Sequence, residues 1–143
     1  MVAIRSGYRI VARACDWLLP FLWVGAIMVV GNANVVPVRG TEPLALFFRK
    51  LIHVAAYAFV SMLFSRALAP QRGRISLGLG IAAIGLTVAS GGLDEWQQAL
   101  VPGRAPRLSD MGFDTVGAVL GFWWIARYRR YSAREGASAQ GWE

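Results

Sequence analysis

Three groups of polar and ionisable side chains interrupt an otherwise strongly apolar chain, and these groups are its candidates for chemistry. In chain order they are Lys50, His53 and Tyr57; Asp94, Glu95 and Gln98; and Asp110 and Asp114. The first group repeats at i, i+3 and i+7, which places its members on one face of a helix. Cations can hold phosphate, and histidine can act as a general acid or base near neutral pH. The residue types therefore predict either a site for a charged ligand or an acid–base site.

The elements that carry these groups are predicted to be membrane helices. Of the 143 residues, 56% are hydrophobic and only 16% are charged, and the mean hydropathy of +0.46 is too high for an ordinary soluble domain. A membrane helix needs about 20 mostly apolar residues, and four segments qualify: residues 16–33, 51–69, 75–98 and 110–128. We therefore predict an all-α membrane protein, an antiparallel bundle of four transmembrane helices within a single domain, residues 1–131. A polar, disordered cytoplasmic tail, residues 132–143, is expected to follow.

The basic residues predict the orientation of the bundle. With both termini in the cytoplasm, ten of the 15 lysines and arginines lie on the cytoplasmic side. Because these arginines flank apolar segments, they explain the net charge of +7 without a nucleic-acid partner. The expected location is the bacterial cytoplasmic (inner) membrane, crossed several times. The first segment also has the basic flank of a signal peptide, but its length favours a retained helix.

In this arrangement the three polar groups meet at the extracytoplasmic end of the bundle. The second and fourth predicted spans begin there, and the third ends there after about 19 apolar residues, or roughly 28 Å of helix. The connector at residues 102–107 adds Arg104 and Arg107. Charges at helix ends often serve only as interfacial anchors, but His53 and Asp114 lie a turn or more inside their helices. We therefore predict a polar pocket at this end.

Glycines predict where the helices approach each other most closely. Gly117 and Gly121 form a small-xxx-small pair in the fourth span, a spacing that lets membrane helices touch. The third span contains five further glycines: Gly78, Gly80, Gly85, Gly91 and Gly92. We expect close helix contacts along both spans.

In this order and combination, the motifs resemble those of the VanZ-like family. The pattern runs Lys50-x-x-His53-x-x-x-Tyr57, Asp94-Glu95-x-x-Gln98, Pro102-Gly103-Arg104 and Asp110-x-x-x-Asp114-x-x-Gly117-x-x-x-Gly121. The resemblance covers about residues 49–121, and the family often has Asn at the position of Asp114, where this chain adds a possible charge. It implies a small integral membrane protein related to one associated with low-level resistance to teicoplanin, a glycopeptide that binds cell-wall precursors outside the membrane.

The leading functional hypothesis is a pocket that binds the headgroup of an envelope lipid or a lipid-linked cell-wall precursor. Binding of such a precursor would also be compatible with a role in glycopeptide resistance. Lys50 and Arg104 would face phosphate, because arginine forms bidentate hydrogen bonds with it. The expected ligand-binding residues are Lys50, His53, Tyr57, Asp94, Glu95, Gln98, Arg104, Asp110 and Asp114.

Two hypotheses from other classes remain open. A membrane-embedded enzyme would use His53 as a general acid or base, oriented by Asp94 or Asp110. Small-residue packing explains Ser90 better than a nucleophile role does, and we expect neither a metal nor a cofactor, because Lys50 and Arg104 would oppose a divalent cation. The third hypothesis is an accessory or structural subunit of a larger membrane protein complex, or a homo-oligomer. Membrane lipids are expected partners in every case.

Overall fold

All regular secondary structure in the described part of the chain is helical. The computed structural model describes residues 2–32, 43–69, 75–101 and 108–139. These residues form four helices: α1 (Val2–Asn32), α2 (Pro43–Leu68), α3 (Leu77–Ala99) and α4 (Leu108–Ala139). No strand occurs within these ranges. The predicted all-α class and the number of helices are confirmed.

Helices α1 and α2 run in opposite directions. At one end Arg66 Nε donates to Asp16 Oδ1 at 2.8 Å, and further along the pair Trp23 meets Phe59 edge-on at 4.9 Å between ring centroids. The two helices are therefore antiparallel.

Ser76 caps the start of α3, because its hydroxyl accepts a hydrogen bond from the Leu79 amide at 3.3 Å.

Helices α2 and α4 run in the same direction and form the closest helix pair in the bundle. The Ser61 hydroxyl donates to the Ala118 carbonyl at 2.7 Å. A side chain on Gly117 or Gly121 would collide with the α2 backbone, at Val54 and Ala58 respectively. The predicted contact at this glycine pair is confirmed, and it lets the two backbones touch.

Helix α3 runs against α4, and only some of its glycines are close contacts. A Cβ atom on Gly80 would enter the ring of Phe122, and one on Gly91 would lie 2.8 Å from Asp114 Oδ2. Gly78 and Gly85 have nothing within 4 Å of that position. At Gly92 the nearest atom is Met111 Cε at 3.6 Å, an ordinary contact. The prediction of close packing along the third span is therefore right at Gly80 and Gly91 and wrong at Gly78 and Gly85.

The buried core lies between α1, α2 and α3. It consists of Val60, Phe64 and Ala83, with three partly buried side chains packed against them: Val24, Ile27 and Leu68. The core holds few large side chains, and most of the bulky apolar residues point outward. An outward apolar surface of this size is typical of a bundle surrounded by lipid.

Three of the four helices are long and apolar enough to cross a membrane. The apolar segments are Val11–Gly31, Leu46–Leu68 and Leu77–Ala99. Helix α4 is not among them, so composition supports three of the four predicted spans. Its apolar stretch is interrupted by Asp114 and ends in a run of arginines at Arg127, Arg129 and Arg130, which lowers its mean hydropathy.

Three of the helices, α1, α2 and α4, are longer than the membrane spans predicted within them. Helix α2 begins at Pro43 instead of residue 51, and proline is favoured in the first turn of a helix. Helix α4 continues to Ala139, whereas disorder was expected from residue 132; alanine, arginine and glutamate in this stretch all favour helix. The remaining residues of the predicted tail, 140–143, lie outside the described residues.

Candidate functional site

Eight of the nine predicted binding residues lie at one end of the bundle. This end is formed by the first turns of α2 and α4 and the last turns of α1 and α3. We call the eight residues the polar cluster: Lys50, His53, Tyr57, Asp94, Glu95, Gln98, Asp110 and Asp114. The ninth, Arg104, lies outside the described residues, as does Arg107.

The first pair of the cluster joins α2 to α4 through opposite charges. Lys50 forms an ion pair with Asp110, and its ammonium also lies 3.5 Å from the Ser109 hydroxyl. The same ammonium is 4.8 Å from the centre of the Phe113 ring, a cation–π contact. Both members of the pair keep some exposure, so a ligand can reach them.

The second pair lies one turn deeper between the same two helices. His53 Nδ1 is 3.1 Å from Asp114 Oδ1. The Asp114 side chain is 3% exposed and the His53 side chain 26%. A neutral imidazole that donates from Nδ1 keeps a lone pair on Nε2, so Asp114 fixes the histidine in the form that can accept a proton there.

This pairing corrects the sequence prediction for the orienting carboxylate. Asp94 or Asp110 was expected to hold His53, but Asp114 does so. Because α2 and α4 run in the same direction, Lys50 lies opposite Asp110, and His53 one turn later lies opposite Asp114. The register between two helices decides the partner, and spacing within one helix does not reveal it.

Tyr57 and the carboxylates of α3 complete the cluster toward the core. The Tyr57 ring is 1% exposed and lies 6.2 Å from the His53 ring, nearly parallel to it. Gln98 donates to Asp94 Oδ2 at 2.9 Å, and Asp94 is itself 3% exposed. About one turn before Asp94 on α3, a Cβ atom on Gly91 would lie 2.8 Å from Asp114 Oδ2, which puts the end of α3 beside the His53–Asp114 pair.

A small opening leads from the surface to the two pairs. It is lined by Leu46, Arg49, Lys50, His53 and Asp110, and its volume is about 10 Å³. That is room for about one water molecule. Arg49 was not among the predicted site residues, although it stands four positions before His53, a spacing that puts both on the same side of a helix.

The chemistry available here is that of mixed charges. Two cations, Arg49 and Lys50, line the opening together with the Asp110 carboxylate, and Asp114 lies one turn further along α4. Within the described ranges, no three His, Cys, Asp or Glu side chains are arranged to hold a metal ion. The cluster can therefore hold phosphate at its rim and accept hydrogen bonds from hydroxyl or amino groups further in.

Comparison with known proteins identifies the family. The sequence matches the VanZ/LLP1 family over residues 5–129, a range that includes the whole polar cluster. No curated protein and no solved structure matches the chain. The order of motifs on α2, α3 and α4 and the extent of this match lead to one conclusion: the chain belongs to the VanZ/LLP1 family.

Proposed function

We propose that the polar cluster binds the headgroup of an envelope lipid or of a lipid-linked cell-wall precursor. One observation carries the proposal: two charged pairs stand within a bundle whose apolar helices are suited to a membrane. The apolar segment of α2 begins at Leu46, so Lys50 lies about 6 Å and His53 about 10 Å inside it. Ionisable residues at such positions are costly and usually mark a binding or transport site.

The mixture of charges favours a headgroup over a simple anion. Arg49 and Lys50 can engage phosphate at the rim, but the carboxylates of the cluster would repel an anion that went deeper. A headgroup that combines phosphate with hydroxyl or amino groups satisfies both parts of the site. Arg104 remains a proposed phosphate ligand on the strength of the sequence motif.

The small opening implies how a ligand would enter. A volume of about 10 Å³ cannot hold a headgroup, so the site must open when a ligand binds. Lys50 then leaves its ion pair with Asp110 and pairs with the phosphate of the ligand. Phe113 holds the ammonium near its place during the exchange through the cation–π contact. If the ligand is a precursor that glycopeptides recognise, a role in resistance to them would follow from this binding.

The proposal includes a membrane arrangement for the whole bundle. Helix α4 crosses beside α2 despite its lower hydropathy, because Asp114 is covered by His53 and its outward face carries Val116, Val119 and Leu120. Both termini lie in the cytoplasm of a bacterial cell, and the polar cluster faces outward.

Native mass spectrometry of gently purified protein tests the binding. We expect the wild-type protein to retain a discrete lipid that Lys50→Ala loses and Lys50→Arg partly keeps. Arg66→Ala is the matched control, because Arg66 also pairs with an aspartate across helices but lies about 24 Å away along α2. Loss in Lys50→Ala alone supports a site at the polar cluster.

Other outcomes would overturn the proposal. Equal lipid retention in all four proteins would remove any role for Lys50. A stable protein partner, copurified without a specific lipid, would replace the binding function by that of an accessory subunit of a membrane complex.

The His53–Asp114 pair supports a second candidate, a membrane-embedded enzyme. A histidine oriented by a buried carboxylate and open toward a pocket has the geometry of a general base. Lipid extracts of cells producing wild-type protein or His53→Gln test it. A headgroup-modified lipid present only with the wild type supports catalysis; bound lipid retained by both, with unchanged extracts, leaves binding as the function.

A further inference from the structure

The end of the bundle away from the polar cluster contains a large groove along α4. Its volume is about 800 Å³, within the range of ligand sites in proteins. We call it the aromatic groove, and its lining residues include Ile84, Phe122, Trp123, Ala126, Arg127 and Arg130. From Asp114 to Arg127 the helix rises about 20 Å, so this groove and the polar cluster cannot share one small ligand.

The walls of the groove combine aromatic rings with cations. The Arg127 guanidinium lies 5.7 Å from the centre of the Trp123 ring. Trp123, Trp124 and Tyr128 are each more than half exposed. Tryptophan and tyrosine in this mixture with arginine are typical of the level where hydrocarbon meets headgroups.

The charge in the groove has one sign. Arg127 and Arg130 stand three positions apart, on neighbouring parts of one helix face. No acidic side chain lines the groove among the residues that the structure describes. The apolar side chains of Ile84, Val119 and Phe122 also line the groove, and we call these three residues its apolar floor.

We propose that the aromatic groove binds an anionic phospholipid. The phosphate lies between Arg127 and Arg130, which can form bidentate hydrogen bonds to it. One acyl chain follows the apolar floor past Phe122 toward the middle of the bundle. The site is separate from the polar cluster, so it stands whether or not that cluster binds a headgroup.

Charge complementarity favours a lipid over a second copy of the chain. A two-fold symmetric interface would bring the same groove of both copies together, with Arg127 and Arg130 of one facing those of the other. Like charges at close range oppose that contact, whereas an anionic headgroup relieves it.

Native mass spectrometry with defined lipids tests the site. The purified protein in neutral detergent is mixed with phosphatidylglycerol or phosphatidylcholine of the same acyl chains. We expect the wild type to prefer phosphatidylglycerol, and Arg127→Gln/Arg130→Gln to lose about fivefold in affinity for each arginine removed. Arg129→Gln is the matched control, since Arg129 belongs to the same turn but does not line the groove.

A second variant tests the apolar floor without changing charge. Val119→Trp places a bulky ring in the groove, and we expect it to reduce retention of phosphatidylglycerol while leaving helix content unchanged by circular dichroism. Equal loss in Arg129→Gln, or no preference between the two lipids, would overturn the site. So would displacement of the lipid by millimolar inorganic phosphate, or a dimer in the wild type that Arg127→Gln/Arg130→Gln abolishes.

Discussion

The two charged pairs of the polar cluster lie close together but have different environments. Lys50 and Asp110 are at the opening, where water or a ligand can replace either partner. Asp114 is almost fully buried, and its Oδ2 lies against the backbone of α3 at Gly91. A charge that can exchange partners suits ligand capture, whereas a buried acceptor suits the orientation of His53.

The buried acceptor leads to a prediction about Asp114. Asp114→Ala leaves the His53 Nδ1–H without its acceptor and should lower the free energy of unfolding by about 1–3 kcal/mol. Asp114→Asn keeps a carbonyl oxygen for the same hydrogen bond and should cost no more than about 1 kcal/mol. Denaturant unfolding in detergent, followed by circular dichroism, measures both.

The Asp16–Arg66 pair provides the control for this series. Arg66 is well exposed, so Asp16→Ala should change the free energy of unfolding by less than about 1 kcal/mol. An Asp114→Asn variant as unstable as Asp114→Ala would contradict the argument, because it would show that the negative charge matters and the hydrogen bond does not.

At the scale of the helices, the close contact between α2 and α4 sets the distance between the side chains that pair across them. Gly117 and Gly121 let the α4 backbone touch α2 at Val54 and Ala58, just below the charged pairs. Backbones at that separation keep His53 within hydrogen-bonding distance of Asp114. Packing and site geometry therefore depend on the same two glycines.

A substitution at Gly121 tests this dependence. Gly121→Ala puts a methyl group into the Ala58 backbone and should lower the free energy of unfolding by about 1–3 kcal/mol. Gly112→Ala, on the same helix with nothing within 4 Å, should be neutral or stabilise by up to about 1 kcal/mol. Thermal unfolding in detergent compares the two, and equal effects would show that the contact is not tight.

The sequence predicted the helices and the gathering of the polar groups, but not which side chains form pairs. The face shared by Lys50, His53 and Tyr57 follows from helical periodicity alone. Asp110 and Asp114 are also one turn apart on one face, so periodicity could not decide which of them meets His53. The predicted span in α2 starts at residue 51 and not at Leu46, because the charged Arg49 and Lys50 follow Phe47 and Phe48 there.

At the scale of the whole molecule, the helices alternate in direction along the chain. Different kinds of charged side chain therefore gather at the two ends of the bundle. One end holds carboxylates paired with Lys50 and His53, and the other holds the arginines of the aromatic groove and the exposed Asp16–Arg66 pair. The basic residues favour the second end for the cytoplasm. A binding function on extracytoplasmic precursors requires that orientation.

Cysteine labelling in right-side-out spheroplasts tests the orientation. In a Cys15→Ser background, Leu100→Cys lies exposed just after α3 at the polar-cluster end, and Ser132→Cys lies exposed near the other end of α4. We expect an impermeant maleimide to label Leu100→Cys at once and Ser132→Cys only after permeabilisation. The opposite pattern would turn the polar cluster toward the cytoplasm and exclude an extracytoplasmic ligand. Immediate labelling of both would show that α4 does not cross, because the two positions would then share one side of the membrane.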